Sequence, residues 1–442
     1  MKSPFQKAAL ITLGCPKNQV DSEVLAGLLA EQGVVLTRNP AEADAVLINT
    51  CGFIQDAKQE SIDAILKSLE LKKTDPAKKV VVWGCLAERY RGEIEKAIPE
   101  ADVYFGVEPF DSIGRFFFGR SYRWNRKAFH ARTLSTPPHT AYLKIADGCD
   151  HACTFCAIPQ FKGRYRSRTI ESLVEEAERL AGQGVRELNL VAQDSTAYGA
   201  DLKDGSDLPT LLGKLADLRG LAWIRILYAH PEHITDVLVE RMADEKKICR
   251  YLDLPLQHIA DPVLQAMGRN TSGRRIGNLI STLRKSIPGL ALRTAFIVGF
   301  PGESGAAFRE LERFVEETRF ERLGVFRYSK EEGTAAAALI NSVPARVAEE
   351  RYRHLMERQN RISAERNRRL ESDRLTVLVD GYDAEQGLYF GRTEFDAPEI
   401  DQTVWIRGNV RIGGFVDTVI DGSSAYDLSG HPAHALPKGE DS

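Results

Sequence analysis

The chain has no apolar run near the roughly 18 residues that a membrane-crossing helix requires. It has no positively charged, apolar leader at its N-terminus, so export is not expected and a cytoplasmic location without membrane contact is. Neither sign of charge is in excess: 59 Lys and Arg face 62 Asp and Glu, a net of −3 over 442 residues. That balance says nothing about a nucleic-acid partner until it is divided among domains. No internal repeat or low-complexity tract breaks the chain. Cysteine is scarce, at seven, and the number is odd. Disulfides are not expected in a reducing compartment, which leaves metal binding or catalysis as uses for the thiols. What remains is ordinary for a soluble globular protein, 43% hydrophobic and 27% charged, long enough for two to four domains.

Residues 8–125 alternate short apolar runs (AALITLG, ADAVLINT, KKVVVWG, ADVYFG) with helical patterns. Continuous apolar runs between helices predict a parallel sheet covered on both faces. Residues 126–139, RKAFHARTLSTPPH, lack apolar periodicity and read as a linker. From Thr140 the alternation restarts with AYLKIAD, ELNLVAQ, WIRILYAH, YLDLPLQ, LRTAFIVGF and RLGVFRYS, each separated by a helical pattern. Six βα units predict a partial (β/α)6 TIM-like barrel with its active site at the carboxyl ends of the strands. Pro344 to about Glu371 reads as one long helix of net charge +3. Five short strands with Gly and Asp turns then predict a small antiparallel β-barrel. The fold class is α/β throughout the first two units. The boundaries are 1–125, linker 126–139, 140–371 including the long helix, and 372–439.

CDHACTFC places Cys149, Cys153 and Cys156 at offsets of four and three, after the first strand of the predicted barrel. Structural zinc sites generally use paired CxxC units and four ligands. Three thiolates can instead hold three corners of a 4Fe-4S cluster and leave the fourth iron free to bind a small molecule. A Cys3His zinc site that includes His151 is the alternative, and simple structural thiols a lesser one. Cys15, Cys51 and Cys85 each follow a strand, after ITLG, LINT and VVVWG. Singly they could be small buried hydrophobes. At the carboxyl ends of neighbouring strands they can meet in space, where ligands bind in open α/β sheets, and a second metal cluster is expected. Cys249, after the charged run DEKKI, reads as structural.

The CxxxCxxC of Cys149, Cys153 and Cys156 resembles the radical S-adenosylmethionine (SAM) superfamily. The resemblance implies that the open iron chelates SAM and that an electron cleaves it to a 5′-deoxyadenosyl radical. It also implies that Phe155 lies beside the adenine, and no protein side chain beyond the cluster ligands is assigned a catalytic role. FIVGFPGE, with Gly299 and Gly302, resembles the family's glycine-bearing segment near SAM, where backbone comes close to the ligand. It is not GxGxxG, so a dinucleotide fold is disfavoured. Gln193, Gln257 and Arg293, at or near strand ends, are placed to bond ribose or carboxylate; the alternative for each is a polar group satisfied within the fold. LGCPKNQVDSE (13–23), NTCGFIQDAKQESI (49–62) and WGCLAER (83–89) resemble the N-terminal domain of the methylthiotransferases. That family binds a second 4Fe-4S cluster through three such cysteines and uses its open iron to hold the inserted sulfur.

The methylthiotransferases divide by substrate, transfer-RNA adenosine in one branch and an aspartate of small-subunit ribosomal protein S-twelve in the other. Pro-Lys in GCPKNQVDSE, Gly-Phe-Ile in TCGFIQDAKQESI and the acidic VAQDSTAYG (191–199) resemble the ribosomal-protein branch. The last domain resembles TRAM, a barrel often used on RNA, yet residues 373–438 carry a net charge of −6. Phosphate binding calls for the opposite sign. An acidic barrel suits a basic ribosomal protein, unless the acidity serves solubility alone. The Arg-rich helix and RFFFGRSYRWNRK (115–127) point the other way, to ribosomal RNA. The expected partners are the S-twelve protein, an electron donor such as flavodoxin or ferredoxin, a sulfur donor and SAM. The alternatives are a tRNA adenosine methylthiotransferase and, more distant, a non-enzymatic zinc protein that binds RNA.

Overall fold

The computed structural model describes residues 4–107, 110–119, 122–123 and 131–434. The first unit is a five-stranded parallel sheet of β1 (Lys7–Thr12), β2 (Val35–Leu36), β3 (Ala45–Thr50), β4 (Lys79–Gly84) and β5 (Val103–Tyr104), in the order β2-β1-β3-β4-β5. Helices α1 (Pro16–Glu31), α2 (Gln55–Thr74), α3 (Cys85–Arg89), α4 (Arg91–Ala97) and α5 (Phe110–Phe118) cover it. Every residue of β3 is buried, which is why it reads as an unbroken apolar run rather than an alternating one. α5 was not foreseen. Its Phe116 stacks on Phe5 at 5.3 Å and Phe117 is fully buried, so much of the aromatic content of 115–127 is core packing. Residues 120–121 and 124–127 of that stretch lie outside the described residues.

The second unit holds six parallel strands, β6 (Thr140–Lys144), β9 (Glu187–Val191), β10 (Trp223–Ile226), β11 (Ile248–Asp253), β12 (Ala291–Val298) and β13 (Arg322–Arg327). They follow the order β13-β12-β11-β10-β9-β6 and do not close, so the barrel is partial. A small antiparallel pair, β7 (Ala146–Asp147) with β8 (Arg166–Ser167), stands beside the first strand. The outer helices are α6 (Ile158–Lys162), α7 (Ile170–Gly182), α8 (Leu208–Ala216), α9 (Asp236–Asp244), α10 (Asp261–Ala266), α11 (Gly273–Ser286) and α12 (Gly305–Thr318). No helix among the described residues is long and apolar enough to cross a membrane.

α1 joins the two units. Val20, Val24, Leu25 and Leu28 face the first sheet's core, while the polar Lys17, Asp21 and Glu23 are also buried, against the second unit. The segment read as a linker is part of that seam. Residues 126–130 lie outside the described residues, but Arg132 is sealed between Glu23 at 2.6 Å and Glu176 at 2.7 Å, with all three side chains 1% exposed.

α13 (Ala345–Arg368) is the long helix, and most of its arginines turn to carboxylates. Arg358 and Arg361 bond Glu316, Arg351 bonds Glu303, and Arg366 bonds Glu321. The helix braces α12 and β13 rather than presenting a free cationic face. The last unit is a closed barrel of β14 (Arg374–Asp383), β15 (Leu388–Arg392), β16 (Thr403–Ile406), β17 (Phe415–Ser423) and β18 (Asp427–Pro432). Four of its pairings are antiparallel, and β16 with β18 runs parallel.

Three of the barrel's acidic residues face inward, which corrects the picture of a wholly acidic surface. Asp396 bonds Arg322, Asp401 meets Arg293 at 3.4 Å, and Asp380 pairs with Arg392 and His139. Charge counted along a sequence does not separate a docked face from a free one.

Candidate active site

The first triad is built by helix starts. Cys15 is the extended residue that opens α1, Cys51 follows β3, and Cys85 is the first residue of α3 after β4. None of α1, α2 or α3 has a side-chain cap, so backbone N–H groups and positive dipole ends are left near the thiols. Gly14 brings the strands together: at φ +91° a Cβ there would stand 2.7 Å from Cys51 Cβ and 2.9 Å from its Sγ. Asn18 Oδ1 lies 3.8 Å from Cys85 Sγ. Burial raises the Cys51 thiol pKa and pushes that of Cys85 up to about 12, with the Lys162 ammonium opposing the second shift. A metal held here would have to displace these protons.

The second triad sits on the loop between β7 and α6. Gly148 opens it at φ +79°, where any Cβ would collide with Arg164 O at 2.0 Å. Cys149 N–H donates to Gly163 O, Cys156 N–H to Cys153 O, and Thr154 N–H to Met267 O. Burial raises Cys149 to about 11 and Cys156 to about 12. Arg269 donates to Cys153 Sγ at 3.9 Å.

Between the triads lies a buried charge quartet that the sequence reading missed. Lys144 bonds Asp21 and, at 3.2 Å, Asp147; Lys162 lies 3.3 Å from Asp147 and 3.8 Å from Asp21. Burial alone would raise the Asp147 carboxyl, but the two ammoniums hold it far below the usual carboxylate range. Asp147 precedes the Cys149 loop by two residues, and the charge of Lys162 reaches Cys85 and Cys15. α6 thus starts two residues after Cys156 and ends on the first triad, with Phe161 packed against Cys85. The only hint in the sequence was charge within the apolar run AYLKIAD.

The proposed SAM contacts fare unevenly. Phe155 packs with Ala260, Val263, Met267 and Phe300. Gln193 donates to Asp147 at 3.0 Å, and its Oε1 is buried without a partner. Gln257 holds an unusual φ of +70° four residues beyond β11, where it bridges to Phe296 of β12. Arg293 is already engaged, with Asp253 at 2.8 Å and Asp401. Gly299 is tight because α13 crosses it: an added Cβ would lie 2.5 Å from Ala348 Cβ. Gly302 faces open space, and its N–H donates to Asn341 O at 2.7 Å. Glu303, in the same segment, is a buried staple for His258, Arg351 and the Gly299 N–H.

His151, offered as a zinc ligand beside the cysteines, is bonded to Asp194 at 2.7 Å. His233 meets the same carboxylate oxygen at 2.7 Å, and burial holds His230 neutral, its pKa down to about 2. These four side chains are close enough to surround one ion. Yet the His151 and His230 rings stack at 3.9 Å and 16°, and an ion cannot lie in the planes of two stacked imidazoles. Cys249 is 1% exposed in an apolar cluster near Arg225, as a structural residue would be.

Three family models match in chain order: the uncharacterized protein family UPF0004 over residues 7–106, the radical SAM superfamily over 143–315 and the TRAM domain over 373–432. A curated relative from Geobacter sulfurreducens, named ribosomal protein uS12 methylthiotransferase RimO, is 45% identical over 97% of this chain and 99% of its own. The chain belongs to the RimO methylthiotransferase family. A RimO relative from Clostridium botulinum is 42% identical over 98% of this chain and 99% of its own. Among solved structures, the cobalamin-dependent SAM radical enzyme OxsB, with aqua-cobalamin and SAM bound, matches at TM-score 0.52. It is 11% identical and covers 80% of this chain and 56% of that one, so it speaks for the fold alone. The three matched models and the full-length RimO relatives together span all three units of the chain.

Proposed function

We propose that the chain methylthiolates the β-carbon of an aspartate on ribosomal protein uS12 by radical SAM chemistry. The observation that carries the reading is the pair of cysteine triads on either side of one buried charge quartet, in a chain of the RimO family. Cys149, Cys153 and Cys156 would hold one 4Fe-4S cluster, and Cys15, Cys51 and Cys85 the other. Both thiol sets suit a cluster, with three soft ligands apiece, and the N-terminal set also has uncapped helix starts to oppose negative charge. When bound, the cluster on Cys149, Cys153 and Cys156 would with SAM supply the radical, and the cluster on Cys15, Cys51 and Cys85 would present the sulfur. The chain's own residues bind and orient. The quartet fixes the spacing of the two loops, Phe155 and Gln193 are available to SAM, and burial around Cys85 and Cys156 keeps water out.

An electron donor of the flavodoxin or ferredoxin type, a sulfur donor and a cytoplasmic setting belong to the same reading. Contact with ribosomal RNA draws little support from α13, whose arginines are largely paired. Incubation of reduced, cluster-loaded protein with uS12 and, separately, with tRNA tests the proposal by mass spectrometry. A methylthio group on a uS12 aspartate is expected, and methylthioadenosine with unmodified uS12 would reject it.

A further inference from the structure

Lys17 is a buried ammonium for which the described residues supply no carboxylate. The residue is 7% exposed, yet among the described residues no carboxylate lies within 4.0 Å of its Nζ. One of its three N–H groups donates to Ala192 O at 3.3 Å, and the ammonium stands 3.6 Å over the Tyr228 ring. Asp21, one turn further along α1, is committed to Lys144 and Lys162. A carbonyl and a ring face compensate poorly for an ammonium removed from water.

The location narrows what is missing. Lys17 is two residues from Cys15 in the first triad. Ala192 is at the carboxyl end of β9, next to Gln193, on the side of the second triad. Tyr228, beyond the end of β10, is held at φ +59°, a conformation rare for a residue with a Cβ and common at functional sites. We propose that the Lys17 ammonium, seated on Tyr228 between the two triads, anchors the side-chain carboxylate of the substrate aspartate. This rests on the proposed uS12 activity and adds a specificity residue to it. The chemistry fits: the carbon to be modified is bonded directly to the carboxylate carbon, so fixing the carboxylate fixes the C–H that reacts. A neutral, planar base would leave the ammonium unpaired, so the same group would select against it.

The rival role for Lys17 is to offset the negative charge of the first cluster, and the two make different predictions. The full-length, cluster-loaded enzyme is titrated anaerobically with a uS12 peptide that carries the target aspartate and with its asparagine analogue. Wild type is expected to bind the aspartate peptide at least tenfold more tightly. Lys17→Gln should abolish that preference and raise KM for the aspartate peptide more than it lowers kcat, and Lys17→Arg should restore it. Lys17→Met, which keeps the stem packed on Tyr228, is the second neutral variant should Lys17→Gln fail to take up iron. Equal binding of both peptides by wild type overturns the proposal without any variant. So does an equal loss for both peptides in the neutral variants. So does an intact preference accompanied by a shifted midpoint potential of the first cluster, which assigns the lysine to the cluster. Failure of the activity itself shows separately, as uS12 left unmodified by wild type.

Discussion

Cys153 is partly exposed and touches Arg269, away from the first triad. Cys153→Ala should abolish SAM cleavage, read as 5′-deoxyadenosine, while the protein keeps about half its iron, because Cys15, Cys51 and Cys85 are undisturbed. Gly14 tests the other set. Gly14→Ala adds a Cβ 2.7 Å from that of Cys51, at a φ that side chains resist. Iron bound by the first triad should fall while SAM cleavage persists, as measured by the EPR signals of the two clusters. Cys149, Cys153 and Cys156 were legible because their spacing is itself the signal, and Cys15, Cys51 and Cys85 because each follows an apolar strand. Asp21, Asp147, Lys144 and Lys162 were not, since each belongs to a different element and only folding makes them neighbours.

Helix α1 shows why some elements hide their role. It opens with Pro16 at a position that needs no N–H donor, and it is buried on its polar side as well as its apolar one. An amphipathic reading therefore finds the helix and misses that its charged side is a domain seam. Arg132 is the test of that seam. Arg132→Met would leave Glu23 buried without its cation and Glu176 with Arg168 alone, at a cost of about 3–5 kcal/mol. The expected outcome is a lower denaturation midpoint, with the N-terminal unit separating first under limited proteolysis. α6 works on a smaller scale: five residues tie the end of one cysteine loop to the packing around Cys85.

For the molecule as a whole, the terminal barrel is locked to the core through charge. Glu187 is fully buried between Arg225 and Arg392, with Asp380 completing the set. Burial opposes ionisation, but the two guanidiniums win and hold its pKa at about 2, below the ordinary 4.5. A depressed carboxyl stabilises the docked form above its unfolded pKa and loses that contribution as pH falls. Undocking is therefore expected as pH drops from about 4.5 toward about 2. Trp223 packs edge-on against Phe415 of the barrel at 4.8 Å, so its fluorescence should change over that window, and a Trp223→Phe control identifies the signal. The same docking consumes Asp396 and Asp401, which is why the summed charge of the last domain overstated its free acidity.

The sequence alone determined the parallel strands, the order of the three units and the close spacing of Cys149, Cys153 and Cys156, because strand periodicity and thiol spacing are local properties of the chain. It also marked Lys17 as part of a distinctive run next to Cys15. Only the tertiary structure decided that Lys17 is buried with no carboxylate beside it among the described residues, that Arg293 is already paired, and that Gly299 is close to α13 rather than to open space. Partners for a buried charge can come from elements 175 residues apart, and no pattern along the chain records which of them meet.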